Sequence, residues 1–286
     1  MKVGKMKYTV ESDKIIIEDT SDFNAKHILE CGQVFRFKKY DNYYRVYALD
    51  KFADVFTLDN GNVIIETSDP NFFVNYFDLN TNYDIIKQHL RKNDIMKSAI
   101  DYGYGIRILR QNNIEAAFSF IISANNNIAR IQKIINSICE HLGEKCDGYY
   151  AFPSVQKLAS AGEMFYASIG AGYRAAYLDK TAKLINSGFD MEVINSMSTE
   201  SAVNYLIKLA GVGPKVADCI LLYGYHRTDV FPVDTWIKKV YSSYFDSGAT
   251  NPNQIRKNLV SSFTDMSGYA QQYLFYYKRE LDRKGD

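Results

Sequence analysis

The sequence predicts an α+β, mainly α fold: a small twisted antiparallel sheet at the N-terminus followed by a larger helical body. Three observations predict it. Up to about residue 68, short runs rich in β-branched and aromatic residues alternate with turn residues. Beyond that point, apolar residues recur at helical spacing. Within the helical part, LIKLAGVGPKVADCILLY (Leu206 to Tyr223) sets a glycine–hydrophobe–glycine turn between two helical patterns.

Strands are expected at Ile15–Ile17, Val34–Phe37, Tyr43–Ala48, Ala53–Leu58 and Val63–Glu66. Lys39–Asn42 and Asp59–Gly61 supply the turn residues that hairpins need. Asp69–Pro70 and Thr81 offer helix-start chemistry. Further helices are expected over 114–124, 128–142, 172–187, 199–209, 214–224, 235–244, 252–262 and 267–282. Asn251–Pro252 with Gln254 resembles another capped start. The expected organisation is an N-terminal α/β domain over 1–97 and a helical domain over 98–286.

A chain of 286 residues can bury a sizeable core. It has no long uncharged apolar run, which excludes a membrane-spanning helix. The opening MKVGKMKY lacks the apolar stretch of a secretory signal, so a cytoplasmic protein is expected. The formal net charge of only +1 gives no global attraction to nucleic acid. Any DNA grip must rest on a local face and on backbone N–H groups. The four cysteines and four histidines form no zinc-ligand pattern. The 23 tyrosines select no function by themselves.

The glycine turn carries the chemistry. Ser198 is a suitable N-cap for a helix with Ala202, Val203, Leu206 and Leu209 on its apolar face. Gly211 and Gly213 allow positive φ and close approach of a ligand to the backbone. Pro214 suits the first turn of the next helix, whose free N–H groups make a site for one phosphate. Such a turn is also an ordinary helix C-cap. Lys215 then stands at the positive end of a helix dipole, an unfavourable place for a cation. Asp234, closing the phrase FPVD, is a good N-cap and a carboxylate that could stabilise developing positive charge.

Taken together, LAGVGPKVADCILL and FPVD resemble the helix–hairpin–helix (HhH-GPD) superfamily of DNA glycosylases, in its 8-oxoguanine DNA glycosylase/AP lyase branch. ECGQVFRF at 30–37, ISANNNIARI at 122–131, FPSVQKLA at 152–159 and IGAGYRAAY at 169–177 agree with that branch. The resemblance implies duplex DNA containing 8-oxoguanine, preferably opposite cytosine, as substrate. It implies a monomer associated with the nucleoid of a prokaryote. Lys215 would attack the sugar C1′, displace the base and nick the strand by β-elimination, with Asp234 assisting. Its amine must be neutral for this, so its pKa is expected to fall from about 10.4 toward roughly 7–8.

By the same resemblance, the Gly32 carbonyl would accept N7–H of the lesion, Cys219 and Phe275 would sandwich the base, and Gln271 would read its Watson–Crick edge. Asn125 would fill the vacated space, Tyr173 would wedge the duplex, and Arg130 and Arg174 would bind the estranged cytosine. Backbone carbonyls of Ile207, Leu209 and Val212 would hold a structural monovalent or calcium ion. No other cofactor is required. Cys139 and Cys146 have the spacing of the first pair in an iron–sulfur motif, but no further cysteines follow, so no cluster is expected. Two positions depart from the family pattern. Ala210 replaces a common proline, and Trp236 stands where many members carry a phosphate-contacting histidine. Two other readings remain at this point: a glycosylase for alkylated bases using water, which leaves Lys215 unexplained, and a non-catalytic DNA-binding module.

Overall fold

The computed structural model describes residues 6–18, 20–246 and 248–285; the first five residues of the MKVGKMKY opening lie outside them. Six antiparallel strands form one sheet in the order β1-β2-β6-β5-β4-β3. They are β1 (Tyr8–Val10), β2 (Lys14–Ile17), β3 (Phe37–Lys39), β4 (Tyr43–Ala48), β5 (Lys51–Thr57) and β6 (Val63–Glu66). Alternation decides which face is buried: Ile15, Ile17, Val63 and Ile65 are each within 1% of full burial and meet on one side. Short helices α1 (Ala25–Leu29) and α2 (Pro70–Tyr76) cover that face, capped by Asn24 and Asp69.

The sheet departs from the expected strands in two places. β1 was not expected, and its three residues pair with β2 as an outer strand. Val34–Arg36 lies outside the sheet, with a bend at Arg36, and β3 begins only at Phe37. The cause lies in where the side chains go. Val34 enters the sheet core and Phe35 the helical core. Buried Arg36 donates to Glu115 at 3.0 Å and to the Tyr150 carbonyl at 2.9 Å. This segment rivets two cores together rather than extending a ladder.

The helical part comprises α3 (Tyr83–Leu90), α4 (Asp94–Tyr102), α5 (Asn113–Ser123), α6 (Ile128–Leu142), α7 (Val155–Ser168) and α8 (Arg174–Asn186). It continues with α9 (Thr199–Leu206), α10 (Pro214–Gly224), α11 (Thr235–Tyr244), α12 (Pro252–Phe263) and α13 (Ser267–Gly285). Helix α5 is apolar nearly all round and packs against α6, α8 and α10. α3 starts from Asn82, whose side chain caps it, while Thr81 donates to Asp78 instead. Asn251 caps α12, but Gln254 bonds forward to Asn258, so no reciprocal box forms. α7 was not expected because Gly162, at φ 77°, kinks it and breaks its apolar spacing. α9 stops at Leu206, three residues early, because tight turns from Leu206 to Val212 take over the backbone. No helix among the described residues is long and apolar enough to cross a membrane.

Candidate active site

A cavity of about 1050 Å³ opens between α10, the start of α11, the end of α5 and one face of α13. Lys215, Asp234, Gly32, Asn125 and Phe275 all line it. These five residues come from five separate stretches of sequence, and the fold brings them to one space.

The hairpin is built by packing against α8. Gly211 has φ +80°, and a Cβ there would lie 2.9 Å or less from Tyr177 side-chain atoms. Thr181 Oγ1 donates to the Ala210 carbonyl at 3.0 Å, anchoring the same turn. Gly213 differs: its backbone is extended, it is exposed, and nothing lies within 4 Å of a Cβ built on it. Gly211 therefore serves packing, while Gly213 leaves the start of α10 open to a ligand.

Lys215 occupies the first turn of α10, with Nζ 5.8 Å from the Phe120 ring centroid. Burial pulls its pKa down, but the Cys219 sulfur one turn along and the Asp234 carboxylate more than offset this. The net shift is upward. The expected fall is thus overturned for the unliganded protein. The same desolvation was foreseen, but the Asp234 carboxylate and the Cys219 sulfur facing the amine were not weighed against it. Lys215 rests as an ammonium and must lose a proton once substrate is in place. The Cys219 thiol is pushed up to about 11, by burial first and against the pull of Lys215, so it is protonated at neutral pH.

Asp234 is the N-cap of α11: its Oδ1 accepts from Ile237 N–H at 2.9 Å. Burial raises its pKa, opposed by that hydrogen bond and by Lys215. A carboxylate with a raised pKa, fixed by a cap and facing an ammonium, is suited to taking a proton from it.

Gly32 stands at the cavity wall with φ +87°. Its turn is held by a buried network. Gln33 Nε2 donates to the Ile28 and Arg107 carbonyls at 2.9 and 2.8 Å, and Gln33 Oε1 accepts from Leu109 N–H at 2.9 Å. Gln272 reaches the Cys31 carbonyl at 3.2 Å from α13. A backbone carbonyl in such a setting cannot reorient to suit a different ligand. Phe275 is a partly buried wall facing Gly32, with a ring atom 3.2 Å from where a Gly32 Cβ would lie.

Cys219 and Gln271 lie behind the cavity surface. Both are buried, and the Tyr223 hydroxyl donates to Gln271 Oε1 over a long 3.5 Å. Asn125 is exposed with φ +49°, a left-handed conformation that asparagine tolerates. Tyr173 is 56% exposed beside it and donates to the Ala124 carbonyl at 3.2 Å. Arg130 is exposed and donates to the Gly170 carbonyl at 2.9 Å. Arg174 is placed differently from the expectation. It is 2% exposed, lies 4.3 Å from the Tyr173 ring centroid, and donates to the carbonyls of Ala124, Asn125 and Ala171. In this state it braces the Asn125 loop.

Sequence reasoning missed Phe35, Phe120, Asp218, Arg256 and Arg279, all of which line the cavity. Asp218, fully buried on α10, is held by Arg256 of α12, whose Nη2 and Nε donate at 2.8 and 2.5 Å. None carries a local signal, since each partner lies tens of residues away. Trp236 lines the cavity as well, with the Lys239 ammonium 4.6 Å from its ring centroid.

An amine and a carboxylate at one cleft, framed by a helix–hairpin–helix, are the arrangement of a base-excision DNA glycosylase. Family models agree: residues 15–116 match the N-terminal domain of 8-oxoguanine DNA glycosylase, and residues 118–264 match the HhH-GPD superfamily of base excision DNA repair proteins. The chain belongs to that superfamily, in its 8-oxoguanine glycosylase/lyase branch. Among solved structures, it is similar to the Clostridium acetobutylicum 8-oxoguanine glycosylase/lyase in complex with DNA containing cytosine opposite 8-oxoguanine. That match has 38% identity and TM-score 0.91, covering 99% of this chain and 100% of the other. It is 30% identical over 278 residues to an N-glycosylase/DNA lyase of Saccharomyces cerevisiae, spanning 83% of this chain and 72% of that one. A 3-methyladenine glycosylase from Archaeoglobus fulgidus shares the fold (TM-score 0.74) at only 18% identity, over 93% of this chain and 99% of that one.

Proposed function

We propose that the protein removes 8-oxoguanine from duplex DNA and then nicks the strand, with Lys215 as nucleophile. The observation that carries this reading is the placement of Lys215 and Asp234 in one cavity with Gly32 and Phe275. Asp234 takes the proton from the Lys215 ammonium. The amine forms a bond to C1′ as the C1′–N9 bond breaks, and the electron pair leaves with the base, which is then protonated. The C1′–O4′ bond then breaks, its oxygen taking a proton, and the opened sugar is left as a Schiff base on lysine. This acidifies C2′–H, and loss of that proton to a base breaks the C3′–O bond and expels the 3′-phosphate by β-elimination.

Discrimination from guanine rests on the Gly32 carbonyl accepting N7–H, a donor that guanine lacks; guanine leaves that acceptor unpaired, at a cost of about 1–3 kcal/mol. Phe275 stacks on the base, with Cys219 on its other side and Gln271 at its Watson–Crick edge. The last two contacts require the cavity wall to open, because both residues lie behind it in the free protein. Asn125 fills the gap, Tyr173 wedges the duplex, and Arg130 and Arg174 donate to the orphaned cytosine. For Arg174 this means exchanging its loop carbonyls for the base. Gly211, Gly213 and the start of α10 grip one phosphate.

The hairpin also suits a structural monovalent or calcium ion. The Ile207 and Val212 carbonyls accept none of the hydrogen bonds among the described residues, and that of Leu209 accepts one, from Val212. Hard carbonyl oxygens are the donors such an ion takes. The enzyme would act as a monomer in the cytoplasm of a prokaryote, on the nucleoid. Cleavage of 8-oxoguanine duplexes opposite C, A, G and T tests the reading. Activity highest opposite C is expected. Equal rates opposite all four bases contradict the role given to Arg130 and Arg174, and no cleavage contradicts the substrate.

A further inference from the structure

Arg279 lies on α13, one turn beyond Phe275, and is 7% exposed. An arginine presents five N–H donors. Its Nε and Nη2 donate to Glu280 Oε1 at 3.2 and 3.0 Å, and Nη2 also donates to the Glu30 carbonyl at 2.6 Å. Nη1, which carries two N–H groups, is buried and has no hydrogen-bond partner among the described residues. Leaving a charged donor unpaired away from water is costly, so native structures rarely do it without a reason.

The position of that nitrogen supplies a reason. Nη1 is 3.0 Å from the point where a side chain on Gly32 would begin, and the Phe275 ring edge is 3.2 Å from the same point. Gly32, Phe275 and Arg279 all line the cavity that holds Lys215. The guanidinium carbon lies 5.4 and 5.6 Å from the ring centroids of Phe275 and Tyr276, which confine it between α13 and the Gly32 turn. The unpaired donor is therefore fixed beside the backbone that faces the base.

Resting on the reading in which the Gly32 carbonyl accepts N7–H, we propose that Arg279 is a second specificity-determining residue, its Nη1 donating to the C8 carbonyl oxygen of 8-oxoguanine. The lesion presents a donor and an acceptor on adjacent ring atoms, N7–H and C8=O. The protein sets an unpaired donor, Nη1, next to the Gly32 backbone that carries the proposed acceptor. Guanine offers an acceptor at N7 and a C–H at C8, so it reverses the first contact and removes the second. Nη1 is buried in the free protein with the partly buried Phe275 ring near it, so that ring must shift as the base enters.

Arg279 also holds the Glu30 carbonyl, so a purely supporting role must be told apart from direct contact. Duplexes with an uncleavable 2′-fluoro sugar, bearing 8-oxoguanine, 8-thioguanine or guanine opposite cytosine, separate the two. Sulfur keeps N7–H but is a weak acceptor. Equilibrium binding is measured for wild type and Arg279→Leu. Wild type is expected to bind the oxo duplex about 10- to 100-fold tighter than the thio duplex. In the variant that ratio should fall toward unity through loss of oxo affinity, with both duplexes still bound tighter than guanine. Weakening of both by one factor, or a ratio that collapses because thio affinity rises, overturns the proposal. Failure of the Gly32 reading looks different: wild type would bind neither lesion tighter than guanine. If Arg279→Leu does not melt cooperatively, Arg279→Lys, which keeps the charge but loses the fork, is read by the same ratio.

Discussion

Replacing the two hairpin glycines separately by alanine splits folding from ligand binding. At Gly211 the φ of +80° costs a β-carbon about 1–2 kcal/mol. The new methyl would also lie 2.7 to 2.9 Å from Tyr177 Cδ2, Cγ and Cβ. The Tyr177 Cβ is tied to the α8 backbone and cannot swing aside, so overpacking adds roughly 1–3 kcal/mol. The expected total is about 2–5 kcal/mol, a fall in Tm on the order of 10 °C. At Gly213 the backbone suits any residue and the space is open. Gly213→Ala should therefore stay within about 0.5 kcal/mol of wild type. It should nonetheless weaken binding to a duplex carrying a tetrahydrofuran abasic analogue by roughly tenfold, since its methyl obstructs a charged hydrogen bond to phosphate. Thermal melts and fluorescence anisotropy read the two effects. Equal destabilisation by both substitutions, or unchanged affinity in Gly213→Ala, would refute the division of labour between these residues.

Asp234→Asn should abolish base excision while keeping the α11 cap, because asparagine caps as well as aspartate. The folded pKa of Asp234 is raised, so the folded state binds that proton more readily than the unfolded chain. Stability conferred by this group therefore falls as pH rises above the ordinary carboxylate value of 3.8. The asparagine variant should melt at the same or a higher temperature than wild type at pH 7, with the gap closing below that value. A lower Tm at neutral pH would contradict the burial of an unfavourable charge. Arg256→Leu leaves fully buried Asp218 without its partner and should cost about 3–5 kcal/mol. Adding Asp218→Asn should recover part of that loss, and denaturant unfolding of both variants shows whether it does.

Local chemistry explains which elements could be read in advance. The caps at Asp69, Ser198, Asp234 and Asn251 act within three residues, and each accepts from the backbone as its position demands. The hairpin was equally plain, because glycine, proline and lysine sit consecutively around it. Val34 and Phe35 could not be assigned that way, since adjacent side chains feed different cores. Arg279 acquires meaning only beside Gly32, which is remote in the chain. The proton on Lys215 likewise depends on Asp234 and Cys219 facing it at once, a balance of opposing effects that residue types alone do not fix.

Borohydride trapping tests the central claim most directly. Wild-type protein mixed with an 8-oxoguanine:cytosine duplex and reduced should give a covalent protein–DNA band. Lys215→Gln should give none, while retaining the wild-type melting temperature to within a few degrees. Because Lys215 rests as an ammonium, trapping should also strengthen as pH rises through neutrality. A band that persists in Lys215→Gln, or one absent from wild type under conditions where the base is excised, would contradict the account.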